Sequence, residues 1–168
     1  MGRGAAGFRC IKLPAGHEVI GLEIAPVFRD REELATSTSL GDTLTQALAD
    51  SACQIVICSP NAAQSKWTNE EILTYKRLGR SHRIFALIVD GEPGASLNPE
   101  TADEECFPPA LIYEMGDDGE LTDVRGEPIA ADARPGKDPK PAAKLKLLAG
   151  MLGVGFDDLR QREVQRRH

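Results

Sequence analysis

The stretch Gln54-Ile55-Val56-Ile57-Cys58-Ser59-Pro60 decides how this chain reads. A short run rich in β-branched residues, closed by Ser-Pro, fits a parallel strand buried on both faces. Downstream, Asn61 to Leu78 predicts a long helix that stops at Gly79, a residue suited to the position just past a helix end. Arg83–Val89 reads as a second buried strand, ended by Asp90-Gly91. Strand, helix and parallel strand form a right-handed βαβ unit. Upstream, Leu40 to Ser51 predicts a helix with Leu44, Ala47 and Leu48 on one face, and Phe8–Leu13 and Glu23–Phe28 are short extended candidates. The implied class is α/β with a doubly wound, mainly parallel sheet.

The rest of the chain narrows the chemistry. Its 168 residues carry 20 basic and 26 acidic side chains, a net charge of −6. A general binder of nucleic-acid backbones would want the opposite balance. The longest apolar run, Ile84–Val89, is far too short to span a membrane, and residues 1–30 lack a continuous apolar segment of the kind secretion signals use. A cytoplasmic setting with reduced thiols is therefore expected. Cys10, Cys53, Cys58 and Cys106 form no C-x-x-C pair, and His17, His82 and His168 are scattered, so no metal site is expected. Cys53 and Cys58 read as small core residues. No G-x-S-x-G occurs, and the Gly150, Gly153, Gly155 spacing follows a helix rather than a strand, unlike a dinucleotide fingerprint.

Residues 1–19 are poorly patterned. From 92 to 141 the texture turns to Pro, Gly and Asp, with ten acids against one base between Glu100 and Glu127. That stretch reads as a long acidic loop, with Phe107–Ile112 a candidate extra strand at the sheet edge. Lys140–Arg160 reads as a last helical segment interrupted by Gly150, Gly153 and Gly155, followed by a basic tail over 161–168.

The feature that invites a chemical reading lies on the helix after Ser59-Pro60. At 100° per residue, Ala63, Trp67, Tyr75 and Leu78 form one stripe, and Glu71 falls inside it, with Glu70 on its margin. A carboxylate on an apolar face is costly unless it meets water, a donor or a ligand. On pattern alone such a glutamate is most often solvated or ion-paired, and Trp67 is most often core. Yet the helix starts beside the carboxyl end of a strand, where open α/β sheets bind ligands.

Taken in order, Pro26–Leu34, Leu40–Ala52, Gln54–Pro60, Ser65–Glu71 and Arg83–Gly91 resemble strand B with its BB loop, helix B, strand C, helix C and strand D of bacterial Toll/interleukin receptor (TIR) domains. Glu105–Leu111 and Ala131–Pro135 resemble bacterial members as well, so the resemblance covers residues 20–160. It implies a flavodoxin-like doubly wound parallel sheet. It also implies cleavage of NAD⁺ between nicotinamide and ribose, giving nicotinamide and ADP-ribose or a cyclised product, in bacterial defence or signalling. The family's W-x-x-x-E pattern falls on Trp67 and Glu71, which makes Glu71 the expected catalytic carboxylate and Trp67 part of the pocket floor. Arg29, Asp30 and Arg31 on the BB loop, together with Ser65, are the expected substrate-binding residues. NAD⁺ enters as substrate, with no cofactor or metal. The expected partners are other TIR domains or a second copy, through the BB loop; neither nucleic acid nor membrane is expected. The competing readings are a non-enzymatic interaction module and an inactive fragment. The family's strand A and helix A are not visible ahead of strand B. The chain therefore reads as N-terminally truncated, unless Phe8–Leu13 takes strand A's place or the domain is a remnant.

Overall fold

The computed structural model describes residues 9–11 and 40–166. A four-stranded sheet runs in the order β1-β2-β3-β6, where β1 is Arg9–Ile11, β2 Cys53–Cys58, β3 Ile84–Ile88 and β6 Ala130–Asp132. β2, β3 and β6 are parallel, in register Val56 with Ala86 and Leu87 with Ala131. β1 lies antiparallel on the other side of β2, with Cys10 opposite Gln54. The extended candidate Glu23–Phe28 lies outside the described residues.

Strand alternation divides the core between two faces. Val56, Cys58, Ile84, Ala86 and Ile88 pack with Leu48 of helix α1 (Leu40–Ala49) and with Ile72 and Tyr75 of helix α3 (Lys66–Arg77). On the opposite face, Cys53 and Phe85 pack with Leu147 and Met151 of helix α5 (Lys140–Leu152). Helices thus cover both faces of a mainly parallel sheet, the flavodoxin-like doubly wound α/β arrangement. None of the described helices is long and apolar enough to cross a membrane.

Several elements differ from the sequence reading. The single helix expected over Asn61–Leu78 is two: α2 (Pro60–Gln64) and α3, divided at Ser65. Residue Ser65 is extended, at φ −76° and ψ 112°; its N–H closes α2 on the Ala62 carbonyl, and its Oγ accepts from the Thr68 N–H at 3.2 Å to cap α3. The long acidic loop expected over 92–141 carries two 3₁₀ turns, helix α4 (Pro109–Ile112), a hairpin of β4 (Tyr113–Met115) and β5 (Leu121–Arg125), and then β6. The edge strand is β6 rather than Phe107–Ile112. Two adjacent prolines suit an N-terminal helix turn, and Ala110, Leu111 and Ile112 are buried there.

The last helical segment also departs from expectation. Gly150 does not interrupt α5; a Cβ there would sit 2.8 Å from the Phe85 ring, so the missing side chain is what lets the helix approach β3. Gly153, at φ +65°, is the residue that ends α5, and helix α6 (Phe156–Arg166) follows.

Gln54 stands out in this core. Its side chain is fully buried, and neither amide atom has a hydrogen-bond partner among the described residues. A buried, unsatisfied amide costs about 1–3 kcal/mol. Gln54→Met, similar in length and without that demand, is expected to raise stability by about 1–2 kcal/mol in urea unfolding. A loss of stability would show that the amide has a partner in solution.

Candidate functional site

The site is assembled by the connection that leaves β2. Ser59 Oγ accepts from the Ala62 N–H at 3.2 Å, and Pro60 occupies the first turn of α2, so the chain folds sharply at the carboxyl end of the sheet. α3 then runs back towards the start of β3. Its first turns therefore lie near the carboxyl edge, where ligands of open α/β sheets bind.

The expected stripe on α3 is only partly buried. Tyr75 is fully buried and Glu71 is 2% exposed, whereas Trp67 is 40% exposed. Trp67 is thus not core. It sits in the first turn, beyond the part of α3 that packs on the strands, and offers an aromatic surface one turn before Glu71. Burial also separates the two glutamates. Glu70 is exposed, and its backbone carbonyl accepts the Thr74 hydroxyl at 2.8 Å. Ser65 is placed as the cap of α3 and can still donate its hydroxyl proton. Arg29, Asp30 and Arg31 lie outside the described residues, as does most of the expected BB-loop interface.

The remainder of α3 is tied down elsewhere. Tyr75 donates its hydroxyl to the Ser51 carbonyl at 3.0 Å, and Lys76 Nζ donates to the Tyr113 carbonyl at 2.9 Å. A cleft of about 460 Å³ lies at this far end, lined by Lys76, Arg77, Met115 and Asp117–Gly119 among others. It is open, and Lys76 and Arg77 each already give a donor to a backbone carbonyl, of Tyr113 and Gly119. It sits at the opposite end of α3 from Trp67, so the chemistry is not placed there.

Loops at the carboxyl edge are held by carboxylates that sequence reading did not single out. Glu105 is 6% exposed and accepts from the Gly94, Ser96 and Phe107 N–H groups and from the Ser96 hydroxyl, at 2.7 to 3.3 Å. Burial pushes its pKa up, but the bonds from Ser96, Phe107 and Gly94 win and hold it below the usual range. Arg134 forks onto Asp132 through Nε at 2.8 Å and Nη2 at 2.6 Å, and also reaches Glu92 and the Gly91 carbonyl. The Arg134 fork lowers the Asp132 pKa, and Lys146 at 2.7 Å lowers that of Asp138. The Asp132-x-Arg134 spacing in a turn was the available signal for the fork. Glu105 offered only an acid beside a buried Cys-Phe-Pro run.

These shifts set the acid response. A carboxylate whose folded pKa is depressed contributes stability that is present above its unfolded pKa and is lost as pH falls through the folded one. The melting temperature should hold steady from neutral pH down to the ordinary carboxylate range and drop below it. Glu105→Gln should melt lower at neutral pH and lose less on acidification. A parallel pH profile for the two proteins would remove Glu105 as a source of the acid sensitivity.

Cys53, Cys58 and Cys106 are buried free thiols. Burial raises all three, with Cys106 pushed up to about 12 by burial and the neighbouring Glu105 charge. They are core residues rather than nucleophiles. Among the described residues, no group of three metal-ligating side chains occurs.

The mainly parallel sheet with helices on both faces, and a buried carboxylate on α3, define a flavodoxin-like α/β domain. A TIR domain family model matches residues 18–107, just over half of the chain, and the chain belongs to that family. It is also 31% identical over 145 residues to a protein of an Actinoplanes species named NAD(+) hydrolase ApTIR. That alignment covers 83% of this chain and 20% of the relative, so the chain spans about a fifth of that protein's length. No solved structure matches the chain.

Proposed function

We propose that this TIR domain hydrolyses NAD⁺ at the bond between nicotinamide and ribose, with Glu71 as its catalytic carboxylate. The observation that carries the reading is a glutamate only 2% exposed on α3, one turn after the half-exposed Trp67 near the carboxyl edge of the sheet. The relative's name as an NAD⁺ hydrolase supports the same substrate.

The chemistry suits a single carboxylate. Ordinary glycosidases use two, one of them to protonate the departing oxygen. Nicotinamide leaves NAD⁺ as a neutral pyridine and takes the bonding electron pair with it, so no general acid is required. Positive charge is left on the ribose. A carboxylate fixed in a low-dielectric setting stabilises that charge and holds the ribose hydroxyls in place. Water then bonds to the anomeric carbon and releases a proton, giving ADP-ribose. Trp67 lends an aromatic face to the pocket, while Arg29, Asp30 and Arg31 orient the dinucleotide or the loop that covers it. The test is nicotinamide release from NAD⁺ by the wild-type protein beside Glu71→Gln. Equal rates would remove Glu71 from the reaction.

A further inference from the structure

We infer that Asn69 is the positioning residue that sets where the Glu71 carboxylate stands; the inference rests on the reaction proposed above. Asn69 lies on α3 between Trp67 and Glu71, about 200° around the helix from Glu71. Its Oδ1 accepts the N–H of Ala110 at 2.8 Å. That N–H belongs to the first turn of α4, whose own N-cap is Pro108 and makes no side-chain cap bond. A side chain from another helix thus does the work that a local cap does elsewhere.

What α4 offers in return is a rigid seat. Cys106, Phe107, Ala110, Leu111 and Ile112 are all buried in the main core. The chain entering α4 is held by Glu105, which accepts the Phe107 N–H at 3.0 Å and binds the Gly94–Ser96 turn as well. The far half of α3 is fixed separately, by Tyr75 on the Ser51 carbonyl and Lys76 on the Tyr113 carbonyl. Asn69 ties the near half, which is the half that carries Trp67 and Glu71. Without its bond, the first two turns of α3 can shift relative to the sheet edge while the far half stays in place. Such a shift misplaces a carboxylate that must meet the ribose and moves Trp67 with it, so the rate falls more than the binding, because the carboxylate acts on the transition state. A displacement near 1 Å can cost about a hundredfold in rate.

The experiment compares kcat, KM and melting temperature for wild type, Glu71→Gln, Asn69→Ala, Asn69→Asp and Asn69→Gln, following nicotinamide release from NAD⁺. Asn69→Ala should lose about 10- to 100-fold in kcat, with a rise in KM clearly smaller than the fall in kcat. Asn69→Asp keeps an acceptor at the same reach, next to the positive end of α4, and should recover most of kcat. Asn69→Gln keeps the amide but overshoots by a methylene and should remain slow, which preserves the comparison if the alanine variant fails to fold. Wild-type kcat in Asn69→Ala, or Asn69→Asp no faster than Asn69→Gln, overturns the positioning role alone. Wild type no faster than Glu71→Gln overturns the role of Glu71, and this inference with it.

Discussion

Replacing Glu71 with glutamine is expected to lower NAD⁺ turnover by at least about 10²–10³-fold, the usual cost of removing one preorganised charge-stabilising group. The substitution keeps the size of the side chain and removes only its charge. Glu71 is almost wholly buried on a helix whose neighbouring positions Ile72 and Tyr75 are core, and glutamine keeps its length, shape and an accepting oxygen there. The variant should therefore fold, and its melting temperature, measured beside turnover, separates a lost charge from a lost fold. That separation matters, since a loss of activity with an intact fold points to chemistry and not to collapse. Glu70→Gln is the matched control. It changes an exposed carboxylate one residue away and should leave kcat close to wild type. Loss of turnover in both variants, or in neither, would sink the assignment of Glu71.

Gly91→Ala is expected to destabilise the domain by about 2–4 kcal/mol, the largest stability effect of any single methyl addition foreseen here. Two independent costs combine. Gly91 has φ +82°, a left-handed conformation that costs an L-residue about 1–2 kcal/mol. A Cβ there would also stand 2.7 Å from the Glu104 carbonyl and 2.8 Å from the Pro60 ring, and neither a backbone oxygen nor a proline ring yields cheaply. The crowding arises because the turn after β3 wedges between the start of α2 and the loop before Glu105, where the Glu92 N–H donates to the Glu104 carbonyl at 2.7 Å. Urea unfolding should show the loss. Gly79→Ala gives the comparison, since Gly79 shares a positive φ of +76° but a Cβ there would meet nothing within 4 Å. Gly79→Ala should cost only the conformational part. Equal losses at the two positions would mean that the packing contribution at Gly91 is negligible.

The βαβ unit was legible because its strands are buried on both faces, so Ile55–Cys58 and Ile84–Ile88 have to be continuous apolar runs. The helix between them was legible in extent but not in continuity. Ser65 is a plausible helix residue by pattern, and only the geometry of the turn made it a cap at the end of one helix and the start of the next. Residues 92–141 misled for a related reason. Their elements are short and their apolar residues sparse, while the order comes from side chains reaching backbone across long separations, such as Asn69 to Ala110, Lys76 to Tyr113 and Arg134 to Gly91. No local periodicity records such bonds.

By itself the sequence determined the class of fold, the family resemblance and Glu71 as the one carboxylate inside an otherwise apolar stripe. Those conclusions follow from hydrophobic period and residue order, which are local properties of a chain. Tertiary structure alone decided that Glu71 is buried while Glu70 is exposed, that Trp67 projects from the core, and that Glu105, Arg134 and Asn69 hold the surrounding loops and helices. Burial and hydrogen-bond partnership depend on which distant segments arrive beside a residue, and that is settled only when the layers pack.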